Sequence, residues 1–131
     1  MGKTWSEGKA IYQQIMESIC GSIASGELSP GQRVLSVREY AAAFGVNPNT
    51  MQRALYELER EGVLLSQRNT GRFVTKDAAL IGKMKAAQAE KAFQEFYAQL
   101  KLLGYSEEEM ARFFRERLGE AEKARTGGQV C

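Results

Sequence analysis

Residues 47–53 read Asn-Pro-Asn-Thr-Met-Gln-Arg, and no acidic side chain appears from Asn47 until Glu57. Asn49, Thr50, Gln52 and Arg53 offer amide, hydroxyl and guanidinium groups, the types that read nucleic-acid base edges. Arginine grips guanine through two acceptors, and asparagine or glutamine does the same with adenine. A helix start carries partial positive charge and usually gathers Asp and Glu. Leaving that charge uncompensated suits a place where an anion arrives from outside. A plainer explanation competes with this one. Asn47 is a good N-cap, Pro48 is suited to the first helical position, and a solvated polar face needs no ligand. Taken alone, the Asn-Pro pair favours the plainer explanation, so the elements around it must decide.

Ile11, Ile15, Ile19 and Ile23, with Tyr12 and Met16 beside them, place one apolar stripe on a helix over residues 9–25, stopped by Gly26. Ser-Pro-Gly at 29–31 makes a turn. Ser36 and Glu39 form the capping box of a second helix that reaches Phe44 and ends at Gly45. The third helix begins after Asn47, buries Met51, Ala54, Leu55 and Leu58, turns Asn49, Arg53 and Tyr56 outward, and closes at Gly62. Two β-prone runs, 63–67 and 72–75, flank Arg68-Asn69-Thr70-Gly71 and predict a hairpin. Helix, helix-turn-helix and hairpin outline a winged helix-turn-helix over residues 1–76. Such a unit lays its second helix-turn-helix helix in the major groove, N-terminal end first. Asn49, Thr50, Gln52 and Arg53 are then expected at bases and Ser36 and Arg38 near the sugar-phosphate backbone. Arg68 and Arg72 are expected at phosphates or in the minor groove.

Residues 35–74, LSVREYAAAFGVNPNTMQRALYELEREGVLLSQRNTGRFV, resemble the DNA-binding unit of the GntR family of bacterial transcription regulators. The family pattern runs L-P-S-x-R-E-L-A, then G-V-N-P-N-T, then A-L-x-x-L-E-x-E-G, then a G-x-G-T-F-V hairpin. The N-P-N-T version and the short tail near LGYSEEEM resemble its YtrA-like subgroup. The resemblance implies that Arg38 contacts the backbone and nearby bases, that residues 47–53 begin the recognition helix, and that residues 68–72, with Asn69 and Gly71, form the wing. Leu35 stands where the family usually has Pro, Asn69 replaces the first wing glycine, and Arg72 replaces a Thr. Asn tolerates a left-handed backbone, so the hairpin is expected to survive, and Arg72 is expected to strengthen wing–DNA contact. The resemblance further implies a homodimeric repressor on near-palindromic operators, and control of a transporter operon.

From residue 77 the pattern changes. Leu80, Met84, Ala87, Phe93, Phe96, Tyr97, Leu100 and Leu103 fall on a long amphipathic helix ending at Gly104. Ser106 and Glu109 form a second capping box, opening a helix with Met110, Phe113, Phe114 and Leu118 as apolar positions. Two helices cannot bury that much aromatic surface by themselves. The stripe either covers the first domain or meets a second copy. The closeness of Phe93, Phe96 and Tyr97 favours the second copy, with Leu80, Met84, Leu100, Phe113 and Phe114 in the same interface. The expected fold is α+β, mainly α: a winged helix-turn-helix, then a two-helix dimerisation region over 77–122, then a disordered tail over 123–131.

The rest of the chain excludes more than it adds. Across 131 residues the net charge is only +2, but residues 33–76 hold seven Lys and Arg against four Glu. There is no histidine, the commonest general base and zinc ligand, and there is no P-loop or G-x-G-x-x-G turn. Glu107, Glu108 and Glu109 are better explained by the helix dipole than by a metal. Neither enzyme chemistry nor a metal or cofactor is expected. Cys20 and Cys131 make no disulfide framework, and Cys20 reads as a half-buried thiol. No apolar run approaches the roughly 20 residues that span a bilayer, and the N-terminus lacks a signal-peptide layout, so a cytoplasmic location is expected. The expected partner is double-stranded DNA. The competing reading is a winged-helix module that holds a protein through its third helix. A small-molecule effector between subunits is compatible with the sequence, although no residue set marks its pocket.

Overall fold

The computed structural model describes residues 5–130, with side chains described through residue 123. The described residues form five helices and one two-stranded antiparallel sheet: α1 (Ile11–Ser25), α2 (Val37–Phe44), α3 (Pro48–Arg60), β1 (Leu64–Gln67), β2 (Gly71–Val74), α4 (Ala78–Leu102) and α5 (Glu107–Val130). They divide into two compact units, Met1–Gln88 and Ala89–Cys131, with the boundary inside α4.

The first unit is built on the predicted stripes. Ile15, Ile19 and Ile23 of α1 meet Met51, Ala54, Leu55 and Leu58 of α3, and Tyr40, Ala41 and Phe44 of α2 close the same core with Val63, Leu64 and Val74 of the hairpin. Full burial of one such aliphatic side chain is worth about 1.5–3 kcal/mol. That packing is what holds α2, whose eight residues are far too few to be helical in isolation. Its start is fixed locally. Ser36 Oγ accepts from the Glu39 amide at 3.2 Å, and Glu39 Oε1 accepts from the Ser36 amide at 2.9 Å. Those hydrogen bonds hold the Glu39 carboxyl below its ordinary range. Trp5, which the periodicity does not single out, packs against Phe44 with ring centroids 6.0 Å apart.

The hairpin pairs Leu64 with Val74 and Gln67 with Gly71, leaving a three-residue loop of Arg68, Asn69 and Thr70. Asn69 takes the left-handed conformation with φ 63°, as its replacement of a wing glycine requires. Residues 31–34, of which the sequence reading placed only Gly31, at the end of the 29–31 turn, also join the wing. The Gly31 amide donates to Val74 O at 2.9 Å, the Val74 amide to Gln32 O at 2.9 Å, and the Val34 amide to Arg72 O at 3.0 Å.

Cys20 is half-buried in this unit. Burial, reinforced by the negative charges of Glu61 and Glu17, pushes its thiol up to about 11, which suppresses the nucleophilic thiolate at neutral pH.

In the second unit α4 and α5 form a helical hairpin whose turn is set by the Ser106–Glu109 capping box. Leu100 and Met110 are buried, and Phe96 packs against Phe113 and Phe114 with centroids 6.4 and 6.2 Å apart. Helical backbone continues through residue 130, into the stretch expected to be an unstructured tail, while Cys131 lies outside the described residues.

Candidate nucleic-acid interface

Three features of the first unit carry exposed polar or cationic side chains: the start of α3, the start of α2 and the wing. At α3, Asn47 Oδ1 accepts from the Asn49 amide at 2.7 Å, Pro48 occupies the first turn, and that turn holds no acidic residue. Capping satisfies one of the free amides of the helix start and leaves the others facing outward. Asn49, Gln52 and Arg53 are exposed and Thr50 is half-buried, because Met51, Ala54, Leu55 and Leu58 take the opposite face into the core. Arg53 is not a loose side chain. Its guanidinium carbon lies 3.8 Å from the ring centroid of Tyr12, on α1. Tyr12, Ile11, Asn49, Thr50 and Arg53 line one shallow cleft of about 360 Å³.

Ser36 caps α2, and Arg38 stands exposed in its first turn. A second cleft of about 390 Å³ runs between this start and the wing, lined by Arg33, Ser36, Ser66, Gln67, Gly71 and Arg72. Arg68 and Asn69 are exposed at the wing tip. Ser36, Arg38, Asn47, Asn49, Gln52, Arg53, Arg68, Asn69 and Gly71 are all exposed, and Thr50 is half-buried.

Arg72 does not project as expected. It is ion-paired through Nε to Glu59 of α3, and its side chain is only 19% exposed. Burial pushes the Glu59 carboxyl up, but hydrogen bonds from Arg72 and Ser66 and the Arg72 charge outweigh it and hold the group below its ordinary range. An unfolded Glu titrates near 4.3. The pair therefore stabilises the fold above that pH and loses its contribution as pH falls through the lower folded value. Thermal melts of the wild-type chain and Glu59→Gln between about pH 7 and about pH 3 are expected to converge on the acid side; parallel curves throughout contradict this.

Arg33 is the residue of this site that the sequence reading missed. Its signal was present only as one of the seven cations of residues 33–76, and the backbone pairing that brings it to the wing is not encoded locally.

The residues assigned to a subunit interface separate into three groups. Leu80 and Met84 are partly buried against the core of the first unit, because α4 begins immediately after the hairpin and its first turns cover that core. Phe96, Tyr97, Leu100 and Phe113 are at least partly buried within the α4–α5 hairpin, and Tyr97 Oη donates to Glu107 Oε2 at 2.6 Å. Phe93 and Phe114 remain 55% and 53% exposed.

A capped, acid-free helix start that follows a second capped helix and precedes a β-hairpin defines a winged helix-turn-helix. The family model described as bacterial regulatory proteins, gntR family, matches residues 11–74. The chain is 36% identical over 110 residues to YhcF, an HTH-type transcriptional regulator of Bacillus subtilis, covering 84% of this chain and 91% of that one. It is 38% identical over 68 residues to the HTH-type transcriptional repressor YtrA of the same organism, covering 52% of each. A GntR family transcriptional regulator from Listeria monocytogenes superposes with a TM-score of 0.73 at 32% identity, over 86% of this chain and 98% of that one. The chain belongs to the GntR family of DNA-binding transcriptional regulators. No described helix is long and apolar enough to cross a membrane.

Proposed function

We propose that this protein is a sequence-specific repressor that binds near-palindromic operators as a homodimer. The observation that supports it best is the acid-free, capped start of α3 with four polar side chains around it. On this reading Asn49, Thr50, Gln52 and Arg53 read bases in the major groove, and Asn47 holds the helix start against a phosphate. Ser36 and Arg38 grip the backbone, and the wing tip from Arg68 to Gly71 follows the neighbouring groove.

Dimerisation is supported by the second unit, whose helices leave an apolar cleft of about 610 Å³ lined by Phe93, Phe96, Tyr97, Met110, Ala111 and Phe114. Closed twofold pairing through such a patch matches the twofold symmetry of paired half-sites, which lie about 34–36 Å apart, one turn of the duplex. The YtrA-like subgroup, action in the cytoplasm and control of a transporter operon belong to the same reading. The domain division proposed with it is a reading head over 1–76 and a pairing region over 77–122.

Selection of bound duplexes from a random-sequence pool, followed by sedimentation of the free protein, tests both halves. The expected outcome is an enriched inverted repeat bound by a dimer, with affinity falling steeply as salt rises. A tight monomer at micromolar concentration overturns the dimer. A pool that yields no preferred sequence overturns operator recognition and leaves the protein-interaction module as the better account.

A further inference from the structure

Sequence pattern gave the wing two DNA-facing cations, Arg68 at its tip and Arg72 on β2, but Arg72 is held by Glu59. In the cleft between the wing and the start of α2, the other cation is Arg33. Arg33 sits on a segment tied to β2 on both sides, through the Gln32 carbonyl at 2.9 Å and the Val34 amide at 3.0 Å, so its backbone is as fixed as the wing itself. Its side chain lies across Gly71. A Cβ built on Gly71 would stand 3.0 Å from Arg33 Nε and 3.5 Å from Nη2, and Gly71 has φ 123°, a conformation that L side chains rarely adopt. Glycine suits this backbone conformation and lets the guanidinium lie close without displacement.

Among the described residues Arg33 takes part in no ion pair. Glu39, whose carboxyl feels the Arg33 charge, is committed to the capping box at the Ser36 amide. Arg33 is thus an exposed, pre-positioned guanidinium beside the Ser36 cap and Gln67, in no ion pair among the described residues. A planar fork held in this way fits two oxygens of a phosphodiester.

We infer that Arg33, seated on Gly71, clamps a DNA phosphate in the cleft between the wing and α2, while Arg72 serves as the tie between wing and α3. The inference rests on the DNA-binding reading above and adds a residue that the family pattern does not mark. Its contact is to the backbone, so it sets affinity and register rather than base choice.

The test compares wild type, Arg33→Ala, Arg33→Lys and Arg72→Ala on two duplexes, one selected by the wild-type chain from a random pool and one unrelated, across a range of salt. Arg33→Ala is expected to weaken both duplexes by about tenfold and to lower the slope of log affinity against log salt by about one. Arg33→Lys is expected to keep the slope and lose part of the affinity, since the charge remains but the fork does not. Arg72→Ala is expected to keep the slope and to melt at lower temperature. An Arg33→Ala protein with wild-type affinity and slope overturns this inference alone, as does a slope change in Arg72→Ala without one in Arg33→Ala. A wild-type chain that shifts no duplex in dilute buffer overturns the DNA-binding reading and this inference with it.

Discussion

Leu55→Ala lowers the unfolding free energy by about 2–5 kcal/mol, because the deleted atoms lose their burial and the surrounding helices close only part of the cavity. Leu55 is 0% exposed and lies where α1, α2 and α3 share one core. Against a total stability of about 5–15 kcal/mol for a domain, this is enough to unfold a sizeable fraction of molecules on warming. Urea denaturation followed by circular dichroism measures it. The control is Tyr56→Ala, one residue along the same helix but 55% exposed, which is expected to shift stability by no more than about 0.5 kcal/mol. Equal losses for the two variants contradict the assigned faces of α3. DNA binding is expected to fall with the Leu55 variant too, since the core side of α3 holds its polar side outward.

Arg53→Ala is expected to give the largest loss of discrimination, about 1–3 kcal/mol on the selected duplex and much less on unrelated DNA. The prediction follows from position: Arg53 is exposed, one turn into α3, beside Asn49 and Thr50. Its contact with Tyr12 refines the expectation. A guanidinium stacked on a ring at 3.8 Å has given up part of its rotamer freedom before DNA arrives, which lowers the entropy that binding must overcome. Tyr12→Leu, which keeps apolar bulk but removes the aromatic face, is therefore expected to weaken the selected duplex in the same direction by a smaller amount. Competition binding on both duplexes separates the effects. Uniform weakening by Arg53→Ala on every sequence would assign it to the phosphates, and a neutral Tyr12→Leu would show that the stack has no part in DNA binding.

The pairing region gives a different kind of comparison. Spacing alone placed Leu80, Met84, Phe93, Phe96 and Tyr97 on one helix, yet those positions do not share one environment. Leu80 and Met84 serve the core of the first unit, whereas Phe93 stays exposed in the second. Periodicity reports which side chains share a stripe; it carries no information about where along a 25-residue helix the neighbours change.

Local chemistry made most of the reading head legible. The Ser36–Glu39 and Ser106–Glu109 boxes, the Asn47-Pro48 start and the left-handed Asn69 each act within four residues, and a short-range interaction leaves its mark in short-range sequence. The isoleucine stripe of α1 and the apolar set of α3 were equally visible, because helical geometry converts spacing directly into a face. Tertiary structure alone decided which arginines are available. Arg72 met Glu59 across 13 positions, Tyr12 came under Arg53 from a different helix, and the 31–34 segment carried Arg33 to the wing. The type of a side chain fixes what it can bind, but its partners depend on which distant parts of the chain the core draws together, and no local pattern records that.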